Sequence, residues 1–355
     1  MTASAWQRNL DGLDLDQAGS EIGEMLGADG SDLTARLIAG GRSNLTYGLT
    51  DGTNKWVLRR QPLGHVLPTA HDMAREFRVI NALAPTEVPV PHAITLVEDA
   101  SVIGSPFYLM DFVDGRSLRT LDEVSDWSEA DGRACSNELV GVLASIHEVE
   151  PETVGLGDFG RPEGYMQRQV GRWAKQWDQN ATAPLPQVDD LISRLQNSVP
   201  AHSDATIVHG DYRLDNTMIH PTDPGEVVAV VDWEMSTLGD PLADLGLLIL
   251  YWGDVSGAIA AGAAPATSGP GFLSADEVAE AYSRRSGRDL DNIDFYTTFA
   301  HFKLAVILEG IHKRYLQGKT VGEGFAQIGS LVPLLVDSAQ QIADSSSLPG
   351  LRARS

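Results

Sequence analysis

Three features of the 355-residue sequence predict an α+β chain of two lobes, a small antiparallel sheet followed by a larger, mainly helical part. Short β-branched and aromatic runs with a period of two crowd the first third, separated by Gly, Pro and Asp turn residues. Long stretches with apolar spacings of three and four fill the rest. One β-like interruption, 206–232, breaks into the helical part and carries a dense set of polar residues.

In chain order, residues 1–30 read as an acidic lead-in with an amphipathic helix around Ile22, Met25 and Leu26. Strands are expected at 33–39, 45–50 and 55–60, the last two joined by a hairpin turn at Asp51-Gly52. Met73, Phe77 and Ile80, spaced by four and three, predict a helix over 71–83. Strands at 93–98 and 106–112 complete a five-stranded sheet carrying one helix. The turn chemistry of Val113-Asp114-Gly115 places the lobe boundary there. Residues 1–112 thus form the first lobe, 113–345 the second and 346–355 a frayed tail. Helices are expected at 128–148, 163–179, 187–198, 241–252, 275–286, 291–317 and 322–343, with a Gly- and Ala-rich loop at 253–272 and no internal repeat. Two lobes of this kind imply a cleft between them.

Composition excludes several classes. Hydrophobic residues make up 43% of the chain, which rules out wholesale disorder. A net charge of −23 repels nucleic-acid backbones. Lysine is scarce, at positions 55, 175, 303, 313 and 319. Cys135 is the only cysteine, so no internal disulfide forms; its neighbours place it in a helix core, not in a nucleophile's role. Residues 1–10 lack a leader pattern, and the strongest apolar run, 245–252, falls far short of the ~20 residues that span a bilayer. A cytoplasmic protein with no membrane or nucleic-acid partner is expected.

The chemistry concentrates in Ile207-Val208-His209-Gly210-Asp211-Tyr212-Arg213-Leu214-Asp215-Asn216. After it the chain runs as a strand to His220, turns at 221–225 and returns through 227–231. If that hairpin closes with 220 opposite 227, then 216 faces 231, and Asn216 and Asp232 emerge at one open end beside Asp211. Three oxygen-bearing side chains gathered so suit phosphoryl transfer. Mg²⁺ takes oxygen ligands and keeps waters, so Asp232 and Asn216 suffice as its protein ligands. Asp211 is left free to take a proton from an attacking hydroxyl. Singly, each of the three could be a turn residue capping a strand end.

His209-Gly210-Asp211, with Asn216 five residues after the Asp, and the strand end Val230-Val231-Asp232-Trp233-Glu234 resemble the aminoglycoside and choline kinase family. Gly239-Asp240-Pro241-Leu242-Ala243-Asp244-Leu245 is similar to the same pattern, and the likeness runs from about 37 to 315. The resemblance implies a protein-kinase-like two-lobed fold, ATP and Mg²⁺ as cofactors, and a small-molecule hydroxyl as acceptor. It also implies that Asp244 braces the catalytic loop and that His209 orients it. In the run 107–115 the resemblance implies that backbone groups of Asp111 and Val113 meet adenine, with Met110 lining the pocket.

The first lobe supplies the remaining candidates. Val57 and Arg59 share one face of a strand, an apolar residue for adenine and a cation for phosphates. Arg59 stands where kinases carry Lys, and Glu76 on the next helix is its natural partner. The alternative makes Arg59 an edge-strand cation and Glu76 an exposed helix charge. Gly40, Gly41, Ser43 and Asn44 lie between two strands, either folding over phosphates or forming a plain turn. His301 and His312 share a helix face but stand too far apart to hold one ion.

These residues favour an ATP- and Mg²⁺-dependent phosphotransferase. A nucleotide-binding pseudokinase is disfavoured because the base and both metal ligands are present. A metal-dependent hydrolase would need further His or carboxylate ligands that the segment lacks. Within the family, the runs 57–64, 74–78 and 209–216 resemble the branch containing the kinase-like domain fused to some acyl-CoA dehydrogenases. That resemblance implies a hydroxyacyl-CoA or hydroxy acid as acceptor; an aminoglycoside suits the acidic charge better.

Overall fold

The computed structural model describes residues 5–39, 44–63, 72–201, 204–253, 264–319 and 325–352. The chain divides into two compact units: Met1–Gly115 with Val228–Met235, and Arg116–Val227 with Ser236–Ser355. The first unit therefore takes back a short segment from the middle of the 113–345 stretch.

The first unit opens with a small hairpin, β1 (Asn9–Leu10) and β2 (Leu13–Asp14), too short to leave a periodic signal. The expected amphipathic helix follows as α1 (Leu15–Leu26), capped by the Asp14 carboxylate on the N–H groups of Asp16 and Gln17. The period-two runs form β3 (Thr34–Ala39), β4 (Leu45–Thr50), β5 (Lys55–Arg60), β6 (Ala93–Val97) and β7 (Phe107–Asp111). They pair antiparallel as β3-β4-β5-β7-β6, which makes β5 the middle strand. The β4–β5 connection is 51–54 as expected, with pairing ending at Thr50↔Lys55. The Asp51 carboxylate shapes it by accepting from the N–H groups of Thr53 (2.8 Å) and Asn54 (2.6 Å). Helix α2 (Met73–Leu83) starts at Asp72, whose carboxylate accepts from the Arg75 N–H at 3.0 Å. Leu15, Ile22, Tyr47, Leu49, Leu58, Phe107 and Leu109 form the core of this unit.

In the second unit the 3.6-residue periodicity yields α3 (Glu129–Glu148), α4 (Tyr165–Asn180) and α5 (Gln187–Asn197). The β-like interruption becomes β8 (Thr206–Val208), β9 (Thr217–Ile219) and β10 (Val227–Val230). A further strand, β11 (Thr237–Gly239), pairs antiparallel with β8, Val208 opposite Thr237. Then follow α6 (Pro241–Trp252), α7 (Ala275–Ser286), α8 (Ile293–Leu316) and α9 (Ile328–Ser345). The first turn of α6 has Pro at its start and the Asp240 carboxylate accepting from the Leu242 N–H at 3.0 Å. Gly246 lets α6 lie against α8, because a Cβ there would come within 2.7 Å of the Tyr296 carbonyl.

Trp173, Trp177, Phe295, Phe299, Phe302, Val306 and Val336 pack between α4, α8 and α9, each large side chain worth about 1.5–3 kcal/mol on burial. Of the expected 253–272 loop, Ala266–Ser268 forms a single 3₁₀ turn and 254–263 lie outside the described residues. Helix α9 starts six residues later than expected, and 320–324 also lie outside the described residues. Past α9, where a frayed tail is expected, Leu351 is fully buried in the core of this unit. No helix among the described residues is long and apolar enough to cross a membrane.

Candidate active site

In the first unit, strand pairing sets Val57 opposite Met110 and Arg59 opposite Tyr108. Val57 and Met110 are buried. Arg59 is no edge-strand cation, since it projects from the middle strand of the sheet. Its Nε meets Glu76 Oε2 at 3.0 Å, its Nη1 donates to Thr46 Oγ1 at 3.1 Å, and its Nη2 pairs with Asp232. Glu76 is completely buried, so its negative charge depends on that guanidinium. Burial pushes the Glu76 carboxyl up, Arg59 pulls it back, and Asp232 and Glu234 add to the push. Burial pulls Arg59 down, yet Glu76, Tyr108 and Asp232 together hold it above the usual arginine range. The result is a permanent cation shared by two carboxylates.

Asp232 is the one non-glycine among the described residues with a positive φ, 66°. That conformation costs about 1–2 kcal/mol and marks a carboxylate held in a particular direction. The turn beyond it is fixed by Trp233, buried, whose Nε1 donates to the Val230 carbonyl at 3.0 Å. Asn44 is buried and gives its amide to Glu234 Oε2 at 3.0 Å, so it supports this turn from the residue just before β4. Gly40, Gly41 and Ser43 lie outside the described residues. The Asp111 N–H donates to the His92 carbonyl at 3.0 Å, and Val113 is half-buried.

In the second unit the chemistry sits on the loop after β8. Gly210 adopts φ 83°, a turn open to glycine without strain. The buried carboxylate of Asp244, on α6, accepts from the His209 N–H at 2.6 Å and the Gly210 N–H at 2.8 Å. His147 on α3 adds its Nε2 at 3.3 Å, and the Tyr282 hydroxyl on α7 lies 2.7 Å from His147 Nδ1. Burial pushes Asp244 up, but His147, His209 and the Gly210 N–H outweigh it and hold the carboxyl below its ordinary range. Burial lowers the His147 imidazole, which stays neutral at pH 7. The brace that resemblance implies for Asp244 thus has a physical form: one buried carboxylate holding two consecutive backbone donors.

Beyond the brace the loop presents Asp211, whose side chain is 32% exposed. Its N–H donates to His209 Nδ1 at 3.2 Å, which gives the imidazole an orienting task. Asn216 Nδ2 donates to the Asp211 carbonyl at 2.8 Å and to Asp211 Oδ2 at 3.0 Å. With its nitrogen so placed, Asn216 turns its amide oxygen to other use. Arg213 Nε lies 3.5 Å from Asp211 Oδ2, with the guanidinium 4.7 Å from the centre of the Tyr251 ring. Burial pushes the Asp211 carboxyl up against the pull of Arg213, Lys303, His209 and Asn216. A raised carboxyl is a stronger proton acceptor than an ordinary aspartate, as a general base requires. Beside the loop a small pocket is lined by Arg119, Arg213, Asp215, Tyr251, Trp252 and Thr267.

The hairpin after Asn216 closes with the His220 N–H on the Glu226 carbonyl at 2.9 Å, so the count of 220 opposite 227 is one residue off. The five-residue turn written into the sequence takes the shift. His301 is spent on the Thr297 carbonyl, and Glu309 accepts from Thr182. No cluster of three or more His, Cys, Asp or Glu fit for a metal occurs among the described residues. Sequence reasoning missed His147, Tyr282 and Lys303, which come from helices far along the chain. The one available signal was a lysine set into the apolar run of α8 in a lysine-poor chain.

The profile of the phosphotransferase enzyme family (APH) matches residues 34–296. Acyl-CoA dehydrogenase family member 10 of Mus musculus is 37% identical over 306 residues, 85% of this chain but 28% of that protein. Acyl-CoA dehydrogenase family member 11 of Homo sapiens is 35% identical over 316 residues, 88% of this chain and 40% of that protein. The chain thus spans well under half the length of these relatives. A solved structure from Ralstonia eutropha JMP134 superposes with a TM-score of 0.78 at 36% identity, covering 89% of this chain and 93% of that one. The aminoglycoside phosphotransferase APH(4)-Ia, in a ternary complex with ADP and hygromycin B, has a TM-score of 0.62 at 14% identity, covering 93% and 100%; at that identity it shows the fold alone.

Proposed function

The chain belongs to the phosphotransferase enzyme family, and on that premise we propose that it moves the γ-phosphate of ATP, with Mg²⁺, onto a hydroxyl of a small molecule. The observation that carries this reading is Asp211: a carboxylate at the tip of a braced loop, raised by burial and oriented by Asn216. Asp211 accepts the proton of the acceptor hydroxyl as its oxygen attacks phosphorus. Arg59, anchored on Glu76, meets the phosphates. Val57 and Met110 enclose the adenine, and the Asp111 carbonyl and Val113 serve its edge, since the Asp111 N–H is given to His92. Asn44 supports the Asp232 turn through Glu234. Asp232 and Asn216 offer the oxygen donors that Mg²⁺ takes, and would hold it where it neutralises phosphate charge.

For the acceptor we favour a hydroxyacyl-CoA or hydroxy acid. The support is the 35–37% identity to acyl-CoA dehydrogenase family members and the guanidinium groups of Arg119 and Arg213 in the pocket beside the base. Calorimetric titration with ATP, with and without Mg²⁺, tests the nucleotide half of the proposal. Wild type should bind ATP far more tightly with Mg²⁺, and Asp232→Ala should lose that enhancement. An Asp232→Ala protein with undiminished Mg²⁺ enhancement removes Asp232 from the metal.

A further inference from the structure

The peptide bond that leads into Asp211 is held at both ends. Its N–H, on Asp211, donates to His209 Nδ1 at 3.2 Å. Its carbonyl, on Gly210, accepts from Lys303 Nζ at 3.2 Å. Gly210 stands at φ 83° and has no side chain to restrict it, so the orientation of this peptide decides where the carboxylate of Asp211 points.

Lys303 reaches that carbonyl from α8, 93 residues further along the chain, next to Phe302 and Leu304 in the apolar core. Lys303 is half-buried, and an ammonium drawn partly out of water is costly unless it is compensated, a cost that a leucine in α8 would not carry. The compensation lies in the loop: the Gly210 carbonyl and the carboxylates of Asp211 and Asp244, with the ring centre of Trp173 5.9 Å from Nζ and Arg172 as the opposing like charge. The charged and titratable groups facing Asp211 are Arg213 and His209 from its own loop, Lys303 from α8 and Tyr251 from α6.

We propose that Lys303 is a positioning residue for the base: its ammonium fixes the peptide that leads into Asp211. This rests on the reading of Asp211 as the base. Without that bond the peptide can turn and carry the base off its line, which lowers kcat and spares ATP binding, whereas a purely packing role would show in stability without that split.

The test uses the full chain as Lys303→Met and Lys303→Arg, with Lys303→Gln carrying the same comparison should Lys303→Met not fold. Three quantities are read: the melting temperature, KM for ATP and kcat of phosphotransfer, with Asp211→Asn alongside. Lys303→Met should lower kcat by roughly ten- to a hundredfold, with KM for ATP within about twofold. Lys303→Arg should recover most of the kcat. A folded Lys303→Met with unchanged kcat, or with a KM for ATP that rises as far as kcat falls, overturns the proposal, as does a kcat loss that Lys303→Arg leaves uncorrected. Wild-type transfer that persists undiminished in Asp211→Asn removes the base assignment instead.

Discussion

Replacing Asp244 by Asn removes one negative charge and changes one oxygen to an NH₂, with no change in size. In the native protein the carboxylate accepts from the His209 N–H at 2.6 Å and the Gly210 N–H at 2.8 Å, one per oxygen, and meets His147 Nε2 at 3.3 Å. Asn keeps a single acceptor oxygen, so one backbone N–H is left facing an NH₂ in a buried site. A hydrogen bond to a charged group contributes about 1.5–3 kcal/mol, and an orphaned buried donor costs a similar amount. A loss of about 3 kcal/mol follows, or roughly 6–12 °C in the melting temperature of a unit of this size. The loop that carries Asp211 loses its fixed origin, and misplacing a catalytic group by about 1 Å costs on the order of a hundredfold in kcat. Folded Asp244 titrates below its unfolded value, so its stabilisation is present above the ordinary aspartate range and fades as pH falls through the folded value. The Asn variant should therefore lie furthest below wild type near neutral pH, with the gap closing in acid. Thermal melts from pH 3 to 8 with phosphotransfer rates on the same protein supply the check. A variant that melts within about 2 °C of wild type at pH 7 and keeps its kcat refutes the brace.

Other outcomes follow from the same contacts. Arg59→Met leaves Glu76 fully buried and without its guanidinium, and should destabilise the first unit by about 3–5 kcal/mol, read by chemical denaturation; Arg59→Lys should fall between the two. Tyr282→Phe removes the hydroxyl 2.7 Å from His147 Nδ1 and should cost about 1 kcal/mol in stability while lowering kcat and sparing ATP affinity; loss of ATP affinity instead would place Tyr282 in another role. Because burial raises the Asp211 carboxyl, the acid limb of the kcat profile should lie above the ordinary aspartate range, and a limb at or below that range contradicts the base role.

What the sequence made legible was local. The alternation in Lys55–Arg60 set Val57 and Arg59 on one face and marked β5 as a strand. The His-Gly-Asp loop with its Asn and the later Asp-Trp-Glu turn carry the pattern on which the proposed chemistry rests. Turn geometry was less legible, since the hairpin after Asn216 closes one residue early. Strand β11 is three residues long and declares itself only by pairing with β8. Asp244 was legible through the resemblance alone, and least legible were His147, which meets Asp244 across 97 residues, and Lys303, which meets Gly210 across 93, separations that no periodicity encodes.

The central claim is that Asp211 activates a small-molecule hydroxyl for attack on the γ-phosphate of ATP. Its most direct test is transfer from γ-labelled ATP with Mg²⁺ to a panel of hydroxyacyl-CoAs, hydroxy acids, aminoglycosides, choline and homoserine, in wild type and Asp211→Asn. The account predicts a labelled hydroxyacyl-CoA or hydroxy acid in wild type and none in Asp211→Asn, with Mg·ATP affinity equal in both. Equal labelling by the two proteins contradicts the base assignment, and a wild type that binds no nucleotide contradicts the kinase reading itself.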